Sequence, residues 1–181
     1  MPDAIAMLRA DHKEVEALFK KFEKAGDGAT KTKRQLVNQI IEMLAVHASI
    51  EEQVFYPAIR EELEDLDDTV LEALEEHHGM KTFLAELLDL SADHERFDAK
   101  TTVLIEMTRH HVKEEHEEMF PKVRDALSRT RLQELGELME EARKVAPVRP
   151  HPHAPDEPPA NILVGAPTGM VDKMRNAVRS R

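Results

Sequence analysis

The chain has 181 residues, no cysteine and a formal net charge of -11, which excludes disulfides, thiolate metal sites and a cysteine nucleophile. Residues 147–181 carry five Lys/Arg against three Asp/Glu, leaving 20 against 33 in residues 1–146, a balance of -13 that argues against nucleic acid as a partner. No run of 18 apolar residues occurs, and Met1-Pro2-Asp3 does not open a signal peptide, so the expectation is a cytoplasmic protein without a membrane span.

Six glycines, few aromatics and abundant Leu, Glu, Ala and Lys favour an all-α fold. Residues 3–24 place Ile5, Leu8, Val15, Leu18, Phe19 and Phe22 at helical spacing, and Gly26-Asp27-Gly28 ends that helix. A second helix is predicted over 30–64, with Leu36, Ile40, Met43, Leu44, Val54, Phe55 and Ile59 on one side and a bend at Pro57. Asp67-Asp68-Thr69 offers an N-cap for a third helix through about Leu90. A fourth runs roughly over 96–127, bent at Pro121 as the second is at Pro57. Ser128 can cap a short fifth helix over 129–145. Long amphipathic helices joined by short loops predict an antiparallel up-down-up-down four-helix bundle, which with the fifth helix makes a domain of residues 1–146. Seven of the ten prolines fall between 147 and 167, so 147–181 reads as a Pro-rich linker. It ends in a short basic amphipathic tail, 168–181, which either docks weakly on the acidic bundle or frays, or serves a protein or surface contact.

Two stretches of the bundle repeat. Residues 40–63 align with 104–127, and Ile41/Ile105, Glu42/Glu106, Met43/Met107, His47/His111, Glu51/Glu115, Pro57/Pro121, Arg60/Arg124 and Leu63/Leu127 are identical. A His and a Glu four residues apart on a helix share a face. Here that face is otherwise apolar, which is costly unless something inside binds the polar pair. The repeat extends upstream: His12 precedes His47 by 35 residues and His77 precedes His111 by 34. Each half therefore supplies one His from its first helix and a His-x3-Glu from its second. Four imidazoles and two carboxylates at matching depth suit two metal ions, with His12, His47, Glu51, His77, His111 and Glu115 as ligands. Carboxylates able to bridge, together with room for an open position, lean to two iron ions over manganese or zinc, since zinc is redox-inert and tends to four-coordination.

On these motifs residues 1–127 resemble the hemerythrin-like (HHE cation-binding) domains. The resemblance rests on His12, on His47-x3-Glu51 followed by Phe55-Tyr56-Pro57, on His77, and on His111-x3-Glu115 followed by Phe120-Pro121. It implies a four-helix bundle holding an oxo- or hydroxo-bridged non-heme di-iron site that binds dioxygen or reacts with oxygen, peroxide or nitric oxide. One departure matters. Oxygen-carrying hemerythrins have a second His one turn after the third-helix ligand, and here that position is Lys81. The 4 His/2 Glu set is closer to the bacterial and regulatory hemerythrin-like domains, which implies sensing, detoxification or another redox role. Two alternatives stay open: iron binding or storage without turnover, and a helical interaction module with a structural metal.

Other residues are assigned blander places. His78, His94, His110 and His116 read as solvent-facing or as lying behind the ligands, and His151 and His153 as linker residues. Glu52 and Glu114 neighbour the candidates off the stripe and read as an acidic rim, either solvated or lying behind the ligands, and Glu52→Ala is expected to change little. Tyr56, the only tyrosine, either packs or turns its phenol to the cavity.

Overall fold

The computed structural model describes residues 2–155 and, beyond them, Asn161, Thr168, Val171 and Asp172. Helix α1 spans Ala4–Lys24, and its free amides begin at the Asp3 carboxylate, which accepts from Ala6 N at 2.8 Å. Helix α2, Thr30–Ile50, continues through a π-helical turn, Glu51–Phe55, into α3, Tyr56–Glu62. A single 3-10 turn, Glu64–Leu66, leads to α4, Asp67–Asp89. Helix α5, Phe97–Glu114, likewise continues through a π turn, Glu115–Met119, into α6, Phe120–Ala126. Helix α7, Arg129–Val145, starts as its sequence predicts, with the Ser128 hydroxyl accepting from Arg131 N at 3.1 Å.

The architecture is the all-α helical bundle expected, with no strand among the described residues. Helix α1 packs on α2, α4 on α5, and α7 covers α1 and α2. Gly136 lets α7 approach closely: a Cβ there would stand 2.7 Å from Pro2 O. Two details differ from the sequence reading. Asp67 does not cap α4; it lies within the first turn, and its carboxylate accepts from Arg60 Nε at 2.6 Å. Pro57 and Pro121 are met by π turns, which no apolar periodicity announces.

Two hydrophobic clusters fill the interior. One gathers Ile5, Leu8, Ile50, Phe55, Ile59, Val70, Phe120 and Leu135; the other Val15, Phe19, Ile40, Leu84, Phe97 and Leu104. In each of the four long rods the switch from one cluster to the other falls at the candidate His or Glu. The polar residues therefore form a layer between two apolar plugs, shielded from water at both ends. No helix of the described residues is long and apolar enough to cross a membrane. The predicted tail 168–181 lies largely outside the described residues; Thr168, Val171 and Asp172 are helical there.

Candidate metal centre

The two His-x3-Glu pairs are each followed at once by a π turn. Tyr56 N–H reaches back five residues to Glu51 O, and Phe120 N–H does the same to Glu115 O. In that register the partner of Glu52 O would be the amide of Pro57, which has no N–H. The Asn161 side chain donates to this freed carbonyl instead, at 3.0 Å. Glu51 and Glu52 are 0% and 6% exposed, Phe55 and Tyr56 0% and 1%, and Met119 and Phe120 1% each.

All six predicted residues converge. His12 Nε2 and His47 Nε2 are 3.0 Å apart, and His77 Nε2 and His111 Nε2 are 3.1 Å apart. The carboxylates stand between these pairs. Glu51 Oε2 is 3.2 Å from His47 Nε2 and 3.4 Å from His77 Nε2, so it faces both halves. Glu115 Oε2 is 3.3 Å from His12 Nε2 and 3.7 Å from His111 Nε2. Two ligand atoms each about 2.1 Å from one ion and at right angles stand about 3.0 Å apart, so these spacings suit the edges of an ion's coordination polyhedron.

The outward nitrogens decide what the inward ones can do. His47 Nδ1 donates to Asp11 Oδ2 at 3.2 Å, His77 Nδ1 to Glu52 Oε1 at 3.0 Å, and His111 Nδ1 to Glu76 Oε2 at 2.7 Å. His12 Nδ1 faces His116 Nε2 at 2.9 Å. An imidazole that spends its N–H on a carboxylate presents a lone pair at the other nitrogen, which is the arrangement that orients metal-bound histidines. For His47, His77 and His111 the inward nitrogens are therefore lone pairs, and those of His77 and His111 face each other. Glu51 Oε1 and Oε2 and Glu115 Oε2 are buried without a hydrogen-bond donor. Buried acceptors and buried charge of this kind cost several kcal/mol per ion unless a cation answers them.

Two of the outer carboxylates carry their own cation. Arg143 Nη2 of α7 donates to Asp11 Oδ2 at 2.7 Å, and Lys81 Nζ lies 2.8 Å from Glu52 Oε1. On the inner side the Tyr56 hydroxyl donates to Glu115 Oε1 at 3.1 Å and lies 3.4 Å from His111 Nε2. Its counterpart in the repeat, Phe120, stacks on His12 with centroids 6.0 Å apart.

Titration follows the same lines. Burial, and then the charge of Glu115, push Glu51 well above the usual carboxylate range. Burial acts on Glu115 too, but His111, His12 and His47 outweigh it and hold that carboxyl low, so the pair favours one proton. Burial lowers His47 to about 4 despite its bond to Asp11, and lowers His77 despite Glu52. For His111 burial is outweighed by Glu115 and Glu76, which raise it. Burial lifts the Tyr56 phenol well above its ordinary value.

Of the two readings of Glu52, the solvated one is overturned and the one behind the ligands holds, so Glu52→Ala is not expected to be silent. It closes a run of buried residues from His47 to Glu52 and holds His77 and Lys81. His116 does lie behind a candidate ligand, while His78 and His94 are exposed. His110 and Glu114 point outward and, with Glu76, form a small surface group. Asp11, Glu76, Lys81 and Arg143 are the members that sequence reasoning missed. Asp11-His12 and Glu76-His77 had a visible signal, an acidic residue before the first-helix His in both halves, each serving the neighbouring helix's His.

Next to the four imidazoles is an inner pocket of about 20 Å³ lined on its other walls by Leu44, Ala48, Met80, Lys81, Leu84, Thr108 and Val112. That is room for about one water-sized molecule.

Residues 3–123 match the family model described as the hemerythrin HHE cation binding domain. An uncharacterised hemerythrin-like protein of Schizosaccharomyces pombe is 28% identical over 167 residues, 92% of this chain and 81% of that protein. A DNA nickase of Nostoc is 28% identical over 122 residues, 67% of this chain but 34% of that protein. A crystal structure of a hemerythrin HHE cation binding domain-containing protein from Mycobacterium kansasii shares the fold, with a TM-score of 0.66 and 23% identity over 80% of this chain and 89% of that one.

Proposed function

The chain belongs to the hemerythrin HHE cation binding family, and from that membership we propose that it holds two iron ions and presents them to dioxygen, peroxide or nitric oxide. The single observation that carries this is the inward set of four imidazoles and two carboxylates, with three buried oxygens that receive no donor. His12 and His47 would hold one ion, His77 and His111 the other, with Glu51 and Glu115 shared between them. Iron so held supplies redox electrons and an open coordination position to a small ligand. Imidazole plus carboxylate, without any sulfur donor, is a set that favours such a metal over soft ions.

The protein's own part is to bind, orient and exclude water. Asp11, Glu52 and Glu76 fix three imidazoles by their Nδ1 protons and raise the basicity of the inward nitrogens. The Tyr56 hydroxyl holds a proton at Glu115 Oε1, beside His77 and His111, and is the one phenol able to present a proton to that half of the site. Its raised pKa keeps the proton in place at neutral pH. The two apolar clusters keep bulk water from both ends. An inner pocket of about 20 Å³ has room for about one water-sized molecule and leaves no space for a growing mineral, which favours a small ligand over storage. The test is anaerobic loading with ferrous iron, followed by exposure to air, hydrogen peroxide and nitric oxide with the absorption spectrum recorded. A new charge-transfer band after at least one of these supports the reading; tight two-iron binding with no spectral response to any of them refutes it and favours a structural metal.

A further inference from the structure

Beside the inner pocket lies a second cavity. It is about 50 Å³, set between α2 and the segment that follows α7, with Ser49, Gln53, Pro147, Pro150 and Asn161 among its walls. Ala48 and Lys81 line both spaces. Ala48 contributes one methyl group. Lys81 is 8% exposed, with its ammonium 2.8 Å from Glu52 Oε1 and 3.0 Å from Glu52 Oε2. Glu52 is itself tied to His77 Nδ1 at 3.0 Å. The partition between the two cavities is thus a buried ion pair anchored to the imidazole cluster.

We propose that Lys81 gates the site, its side chain closing the passage from the outer cavity to the inner pocket. The role rests on the reading of the inner pocket as a ligand chamber, but the partition itself is independent of any metal. A molecule passing inward must displace the Lys81 methylenes, and separating a buried pair is costly, so the passage is shut most of the time. The ammonium is neutralised by the Glu52 carboxylate, so the barrier is the pair itself and the side chain that carries it rather than a net charge.

The only tyrosine, in a chain without tryptophan, provides a probe. The Tyr56 hydroxyl is 3.5 Å from His77 Nε2 and 3.4 Å from His111 Nε2, two of the imidazoles that wall the pocket. Tyrosine fluorescence of the metal-free full chain is measured with dissolved dioxygen as the quencher. Lys81→Ala opens the passage and should raise the dynamic quenching constant about threefold or more, while Lys81→Arg should leave it near the parent value. Ala48→Val narrows the same passage from the other wall without touching the ion pair, and should lower the constant. The second variant decides the matter if Lys81→Ala does not fold. Equal quenching in the parent, Lys81→Ala and Ala48→Val overturns the gate. Because no metal is present, a chain that later fails to bind iron removes the ligand-chamber reading alone, and unchanged quenching in a chain that does bind iron removes the gate alone.

Discussion

Glu52→Ala separates a working residue from a bystander. In the parent, one 6%-exposed carboxylate accepts from His77 Nδ1 at 3.0 Å and pairs with Lys81 Nζ at 2.8 Å. Truncation leaves a buried ammonium without a counter-charge and a buried imidazole N–H without an acceptor. Breaking one side of a buried pair costs about 3–5 kcal/mol. Loss of the group that orients a metal-bound His costs about 10–100-fold in metal affinity, or roughly 1.4–2.7 kcal/mol. Urea unfolding of the metal-free chain reads the first number, and cobalt titration against a competing chelator reads the second. The double variant Glu52→Ala/Lys81→Met removes both charges together. It should recover most of the lost stability but not the lost affinity, since His77 stays unanchored. The reasoning is refuted if Glu52→Ala unfolds at the parent urea concentration and binds metal with parent affinity.

Three further outcomes are expected. Glu51→Ala and Glu115→Ala should each lower metal content below two ions per chain, because each carboxylate faces both imidazole pairs; elemental analysis showing full two-ion occupancy in the double variant would remove both from the ligand set. His47 is lowered to about 4 by burial against an ordinary 6.5, so between these values the unfolded chain binds the extra proton. Stability from neutral His47 is complete above about pH 6.5 and is lost as pH falls toward 4, by about 3 kcal/mol. The unfolding free energy of metal-free parent minus His47→Leu should drop over that window, and a pH-independent difference would contradict the burial assigned to this ring. Gly136→Ala should destabilise the chain by about 1–3 kcal/mol despite the better helix propensity of alanine, because its methyl would meet Pro2 O and Ala4 N; an unchanged or raised melting temperature would show that α7 docks less closely.

Much of this site could be read from the chain because a metal cage built on helices leaves periodic marks. The interval of 64 residues between the two His-x3-Glu pairs and the near-equal spacings of 35 and 34 place six groups at one depth of a bundle. The Ser128 cap is legible for a similar reason, since capping is local chemistry. For Glu52, helical periodicity leaves open whether the carboxylate is solvated or lies behind the ligands, and only its burial and its bonds to His77 and Lys81 decide. A π turn has no residue signature of its own beyond the proline that follows it. Arg143 is farther from sequence reasoning still, because its role depends on α7 folding back across α1 to reach Asp11. Tyr56 was divided between packing and donation, and the distance of 3.1 Å to Glu115 Oε1 decides for donation.

The central claim is that two iron ions sit between His12, His47, His77, His111, Glu51 and Glu115. Its most direct test is metal analysis of the purified protein together with its ultraviolet-visible spectrum, before and after anaerobic reduction and on return to air. Two iron per chain, with near-ultraviolet bands that bleach on reduction and return with air, is the expected result. A chain that takes up no iron, or that holds zinc with a featureless spectrum, contradicts it.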